Sequence, residues 1–113
     1  MRRAAKKDHN HNELSDAFKS FGCSVADTSR LGNDFPDMII GLLGINVLIE
    51  IKRDDVSPSK SKLTDGQFKF LHEWRGWTAV VRNVDDALRI VNQIKQDKVY
   101  HMRGFSAMNE VTA

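Results

Sequence analysis

Two short apolar runs joined through a glycine constrain the fold of this chain more than any other feature. The runs 37–42 and 46–53 are rich in Ile, Leu and Val, and Gly44 lies between them. Such residues favour strands, and so short a connection joins antiparallel neighbours. The sequence therefore predicts an antiparallel β-hairpin.

Three other segments have the apolar spacing of a helix that buries one face. Gly22 and Gly76 are placed to end the first two helices, Thr64 and Gln67 have the spacing of a capping box, and Asn83 is the predicted cap of the third. The apolar faces are Leu14, Ala17, Phe18 and Phe21; then Phe68, Leu71 and Trp74; and then Ala87, Leu88, Val91 and Ile94.

Two further segments, 24–28 and 77–81, have the composition of strands. The predicted order is then helix, three strands, helix, strand, helix (αβββαβα). Amphipathic helices in this arrangement cover a sheet. We expect an α/β fold with a mixed β-sheet flanked by helices.

Length and composition fit one domain. The chain has 113 residues, of which 41% are hydrophobic, and a chain of this size can bury one core without disulfides or a metal. We assign the domain to residues 8–96, between a basic N-terminal arm (1–7) and a C-terminal tail (97–113) that is disordered or used in self-association. No secretory start and no apolar run near ~18 residues is present, so we expect a cytoplasmic protein without a membrane partner.

The second apolar run ends in a carboxylate and an ammonium group. Residues two apart in a strand share a face, which places Glu50 beside Lys52. If Leu43 and Gly44 form a two-residue turn, Asp37 lies directly opposite Glu50, with Cβ atoms about 4.5–5.5 Å apart. Two carboxylates this close repel each other unless one is protonated or a cation lies between them. Oxygen ligands of this kind suit Mg²⁺ or Mn²⁺, so the pair predicts a metal site for phosphate chemistry.

These residues resemble a known signature. Pro36-Asp37 followed by Glu50-Ile51-Lys52 resembles the PD-(D/E)XK nuclease superfamily, whose members have a restriction-endonuclease-like core. The runs 9–13, 32–37 and 63–67 are similar to the virus-type replication-repair nuclease (VRR-NUC) family, and the resemblance extends over about residues 8–91.

The resemblance implies a Mg²⁺- or Mn²⁺-dependent endonuclease that hydrolyses DNA phosphodiester bonds. Asp37, Glu50 and the backbone carbonyl of Ile51 would bind the metal, and Lys52 would be the catalytic lysine. Small stand-alone members of the family are similar to homodimeric Holliday-junction resolvases. Branched DNA and a second copy of the chain are therefore the expected partners.

Two more residues take roles from the same resemblance. Glu13 would orient a metal-bound water or assist a second metal, and Gln67 would be an auxiliary residue near the scissile phosphate. Each also has a structural explanation, since Glu13 suits the positive end of a helix and Gln67 suits the capping box.

Three lysines, Lys60, Lys62 and Lys69, are candidate contacts to nucleic-acid phosphates, although charged residues most often form a solvated face. His9 and His11 do not share a helical face, so we expect them to face solvent rather than bind a metal.

Three other residues are expected to serve packing. Trp74 and Trp77 could stack on bases, but large aromatic residues at such positions are usually core. Cys23 lacks a histidine partner nearby in the sequence and is most simply a small buried hydrophobe.

Two other functions remain open from the sequence. A non-catalytic nucleic-acid-binding module would use the lysines for affinity and would need no metal. A nuclease directed at RNA would use the same site. Cleavage assays with and without a divalent metal, on DNA and on RNA, separate these possibilities.

Overall fold

The computed structural model describes the backbone of residues 10–104 and the side chains of residues 10–97. It confirms an α/β fold in which helices flank a mixed four-stranded sheet. The elements are α1 (His11–Ser20), β1 (Ser24–Asp27), β2 (Met38–Leu42), β3 (Ile45–Ile51), a short 3₁₀ helix (Pro58–Lys60), α2 (Asp65–Glu73), β4 (Trp77–Val81) and α3 (Val84–Gly104).

The sheet has the strand order β1-β2-β3-β4. The first three strands pair antiparallel, whereas β3 and β4 pair parallel. Parallel neighbours need a crossover connection, which the segment containing α2 provides. The carboxyl ends of β3 and β4 therefore lie at the same edge of the sheet, where Lys52 N–H donates to the Val81 carbonyl at 3.1 Å.

The predicted hairpin is present, with Leu43 and Gly44 as its turn. Both residues have positive φ, 54° and 82°, as a type I′ turn requires. The register predicted from this turn is confirmed from the Leu42–Ile45 pair to the Met38–Ile49 pair.

The hydrophobic core lies between one face of the sheet and helices α1 and α3. Glu50 alternates with the core residues Ile49 and Ile51, so it belongs to the other face, where the α2 residue Gln67 contacts it. None of the nine residues of α2 is buried. The buried core side chains are Leu14, Phe18, Cys23, Met38, Ile40, Val47, Ile49, Ile51, Val81, Ala87, Val91 and Ile94.

Three residues that were predicted to lie in the core are exposed instead. Phe68 is 59% exposed, Trp74 44% and Leu88 40%. Phe68 lies in the short helix α2 and Trp74 is its C-cap. None of the residues of this helix is buried, so it covers its sheet face only in part. Leu88 lies beside the buried stripe of α3 rather than on it.

The predicted helix boundaries agree with the structure at two caps. Gly22 has a φ of 96° just beyond α1, and the Asn83 side chain accepts from the Asp86 N–H at 2.9 Å. Helix α3 continues past residue 96 to Gly104, into the segment assigned to a tail. The arm at 1–7, His9 and residues 105–113 lie outside the described residues. Within residues 10–104, no helix combines the length and hydropathy that crossing a bilayer requires.

The turn gives a stability prediction. A left-handed conformation costs an ordinary L-residue roughly 1–2 kcal/mol, and asparagine tolerates it best after glycine. We expect Leu43→Asn to raise the free energy of unfolding by about 1 kcal/mol and Tm by about 4 °C or more. Leu43→Ala, which keeps a Cβ at the same φ, is the control and should give no such gain. An equal gain from both variants in thermal denaturation would contradict the turn assignment.

Candidate active site

Four of the candidate residues, Asp37, Glu50, Lys52 and Gln67, lie together at the sheet edge where β3 and β4 end. The side chain of Asn10, the N-cap of α1, reaches the carbonyls that follow both strands, and Gln67 in the first turn of α2 reaches Glu50. Helix α3 begins directly after β4. Three helix N-termini therefore face this edge, and their partial positive charges favour a bound anion.

Glu50 is the centre of this arrangement. It is 4% exposed, and its Oε2 accepts from Gln67 Nε2 at 3.2 Å and lies 4.0 Å from Lys52 Nζ. The short Glu50–Lys52 distance confirms that the two side chains share a face. A carboxylate this buried requires such partners, because burying an isolated charge costs far more than folding can supply.

Asp37 is held against β3 on both sides of Glu50. Its N–H donates to the Ile49 carbonyl at 2.9 Å, and its Oδ2 accepts from the Ile51 N–H at 2.7 Å. The first bond is one residue out of step with the Met38–Ile49 pair, so Asp37 and Met38 both oppose Ile49, as in a β-bulge. The predicted direct pairing of Asp37 with Glu50 is therefore corrected: the ladder ends at Met38, and Asp37 brackets Glu50 through its two neighbours.

Gln67 completes the predicted capping box and also contacts Glu50, whereas its predicted role near the scissile phosphate stays a prediction. Its Oε1 accepts from the Thr64 N–H at 3.0 Å, and its own N–H donates to Thr64 Oγ1 at 3.1 Å, which completes the capping box. Its Nε2 is then directed at Glu50. The cap thus fixes the direction of the amide that serves the carboxylate. We call Asp37, Glu50, Lys52 and Gln67 the strand-end site.

The donor set of this site suits a hard divalent cation. Among the described residues no group of three or more His, Cys, Asp and Glu side chains is arranged to hold a metal. The strand-end site offers two carboxylates, with the Ile51 carbonyl as the further predicted ligand. Mg²⁺ commonly takes only one or two protein carboxylates and completes its shell with water and phosphate oxygens.

Glu13 makes no hydrogen bond or ion pair with the strand-end site among the described residues. It is exposed in the first turn of α1, and the described residues give it no hydrogen bond or ion pair. Its predicted role stays a prediction.

His11 is buried, which corrects the expectation that it faces solvent. It is 2% exposed, and its Nε2 lies 3.4 Å from the Asp37 carbonyl and 3.6 Å from Asp27 Oδ1. The signal was present in the sequence: His11 lies three residues before Leu14 and seven before Phe18, so the apolar stripe of α1 extends back to it.

The lysine-bearing loop after β3 is held by Arg82, the residue that follows β4. Arg82 donates to the carbonyl of Ser61 at 3.1 Å and to its hydroxyl at 2.9 Å, and Ser61 is buried. Lys60 and Lys62 flank this anchored serine and are exposed. Lys69, exposed on α2, is the third candidate phosphate contact.

The loop that precedes Asp37 packs against α2. The Phe35 ring meets Phe70 edge-on at 5.4 Å between centroids, and Phe70 stacks on Trp74 at 5.5 Å. In the same loop Asp34 lies so close to Gly66 that a Cβ at position 66 would collide with the Asp34 carboxylate. These contacts hold the loop that leads into Asp37 against α2, and they were not predicted from the sequence.

Two residues expected to serve packing do so. Cys23 is buried, and burial raises the pKa of its thiol, which disfavours the thiolate needed for nucleophilic chemistry. Trp77 packs partly buried against the core.

The double role of Gln67 gives a second stability prediction. Thr64→Ala removes one cap interaction and should cost about 1 kcal/mol. Gln67→Ala removes the other cap interaction and also a donor to a buried carboxylate, so we expect a larger cost of roughly 2–3 kcal/mol. Chemical denaturation measures both. Equal losses would mean that the Gln67–Glu50 bond contributes nothing to stability.

Comparisons with known proteins give no match from which a role for this site could be taken. No family model, no curated protein and no solved structure matches the chain at the significance required. What the strand-end site does is therefore inferred from its own residues.

Proposed function

We propose that the chain is a Mg²⁺- or Mn²⁺-dependent endonuclease that hydrolyses DNA phosphodiester bonds. The observation that carries the proposal is the buried Glu50 carboxylate with Lys52 Nζ at 4.0 Å, bracketed by Asp37 at the carboxyl end of β3. The resemblance of these residues to the PD-(D/E)XK signature supports the same reaction, within a restriction-endonuclease-like core of the VRR-NUC type.

Asp37 and Glu50 have different hydrogen-bond partners, which gives them different roles in this proposal. Asp37 Oδ2 is occupied by the Ile51 N–H, whereas its Oδ1 has no hydrogen-bond partner among the described residues and is available to a ligand. A divalent cation held by Asp37, Glu50 and the Ile51 carbonyl would polarise the phosphodiester and favour ionisation of the attacking water. Gln67 keeps the Glu50 carboxylate oriented through its Nε2.

Lys52 supplies a mobile positive charge at the opening of the site. Its side chain is 15% exposed, so the ammonium group can reach a phosphate oxygen while it remains next to Glu50. Charge builds up on the phosphoryl oxygens as the reaction proceeds, and a positioned donor stabilises it most there. Lys52 is therefore the residue assigned to transition-state stabilisation.

The surroundings of the site favour a polyanion. Three helix N-termini face the same edge, and the loop with Lys60 and Lys62 is anchored beside it by Arg82. Contacts of this kind supply affinity without reading sequence. This fits an enzyme that selects branched or otherwise structured DNA by shape.

Removal of the charged pair tests the proposal. We expect Lys52→Ala and Glu50→Gln each to lower the cleavage rate by at least about 100-fold, because each removes a group used in the transition state. Lys19→Ala, an exposed lysine in the last turn of α1, is the matched control and should leave the rate unchanged. Circular dichroism checks that each variant is folded.

The substrates and metals are chosen to separate the alternatives. Linear, flap and four-way DNA and a matched RNA are incubated with Mg²⁺, with Mn²⁺ or with EDTA. Salt-sensitive binding without cleavage under every condition would support a non-catalytic binding module. Cleavage of RNA alone would redirect the same site to RNA.

A homodimer follows if the enzyme resolves junctions, because two symmetric cuts need two sites related by a two-fold axis. We expect light scattering to give a mass of about twice 12.8 kDa. A strict monomer across the concentration range used for cleavage would exclude the paired-cut mechanism but would leave single-strand cleavage of flaps intact.

A further inference from the structure

The N-cap of α1 and the first residue of this helix, Asn10 and His11, contact the backbone at the strand-end site. Asn10 and His11 are 5% and 2% exposed. The side chain of Asn10 makes no cap hydrogen bond to α1, so capping does not explain its burial. Their hydrogen bonds run instead to residues far along the chain.

Asn10 joins the ends of the two parallel strands. Its Nδ2 donates to the Arg82 carbonyl at 3.0 Å and, more weakly, to the Lys52 carbonyl at 3.5 Å. The Lys52 N–H is already held by Val81 at 3.1 Å. The backbone of Lys52 is therefore fixed on both sides, which sets the point from which its side chain extends.

His11 contacts the backbone of Asp37 in the same way. Its Nε2 faces two oxygen acceptors, the Asp37 carbonyl and Asp27 Oδ1, so this nitrogen carries the hydrogen. The same carbonyl accepts from the Thr28 N–H at 3.0 Å. The Asp37 backbone is thus fixed at the β-bulge that directs its carboxylate along β3.

In each of these side chains, the polar atom that does not make the contact is left without a partner. Asn10 Oδ1 and His11 Nδ1 are buried and have no hydrogen-bond partner among the described residues. Buried polar atoms without partners destabilise a fold, and an apolar residue would avoid the penalty. The presence of an amide at Asn10 and an imidazole at His11 is therefore better explained by the backbone carbonyls to which they donate than by packing.

We infer that Asn10 and His11 are positioning residues, which hold the backbones of Lys52 and Asp37 at the spacing that the reaction needs. The inference rests on the proposed nuclease function. Misplacing a reacting group by about 1 Å can cost 10²-fold in rate, so small backbone shifts at either residue would reduce kcat while leaving the DNA-binding surface, and hence KM, nearly unchanged.

Matched variants test the inference. His11→Phe keeps a ring without a donor, whereas His11→Gln keeps an N–H donor near the position of Nε2. Asn10→Ala removes the amide, and Asn12→Ala makes a comparable change at the exposed neighbour in the same helix turn. We expect kcat to fall about tenfold or more in His11→Phe and Asn10→Ala, to recover substantially in His11→Gln and to be unchanged in Asn12→Ala.

A measurement that does not need activity separates the two proposals. Carbonyl ¹³C resonances of Asp37, Lys52 and Arg82 report the loss of a donor, so His11→Phe should shift the first and Asn10→Ala the other two. Unchanged resonances, or equal kcat in His11→Phe and His11→Gln, would overturn the positioning role. If the wild-type chain cleaves nothing while the resonances shift as expected, the proposed function fails, but the contacts by which Asn10 and His11 hold the strand-end backbone are confirmed.

Discussion

The strand-end site depends on one constraint, the burial of the Glu50 carboxylate on a central strand of the sheet. β3 has a neighbour on each side, and the residues that alternate with Glu50 are core. A charge in such a place must be matched by donors and cations. Gln67 supplies the donor and Lys52 the cation, and the parallel crossover explains how a residue 17 positions away reaches Glu50. The groups around Glu50 are therefore brought together by the topology of the sheet.

All three helices begin near this buried carboxylate. Each of the three helices starts at the edge where β3 and β4 end, so unpaired N–H groups and side-chain donors are concentrated around the acids. Asn10, His11 and Gln67 all come from first turns or caps, and all of them hold strand-end residues through hydrogen bonds. The helices therefore supply the fixed donors, and the strands supply the charged groups.

Much of this was predictable because it is local. The Leu43-Gly44 turn sets the hairpin register, the Thr64–Gln67 spacing gives the capping box, and the period of two puts Glu50 beside Lys52. What failed depends on tertiary geometry. No spacing in the sequence indicates the β-bulge at Asp37, which lies where the preceding loop joins β2. Exposure of Trp74 and Phe68 depends on how much of the sheet α2 covers, and the burial of His11 required extending a periodic stripe past a polar start. Lys60 and Lys62 could be named as charges, but only the Arg82–Ser61 contacts place them near the strand ends.

The shared duties of Gln67 have a consequence for motion. Helix ends are where a structure opens most easily, and fraying of a first turn is a low-energy local unfolding event. In α2 such fraying would release the capping box and withdraw the Nε2 donor from Glu50 in the same step. Opening of this helical turn is thus coupled to the loss of a hydrogen bond to a buried charge. The first turn of α2 should therefore unfold together with the rest of the domain more often than an ordinary helix end does. Its amide protons should exchange more slowly than their position in the helix suggests.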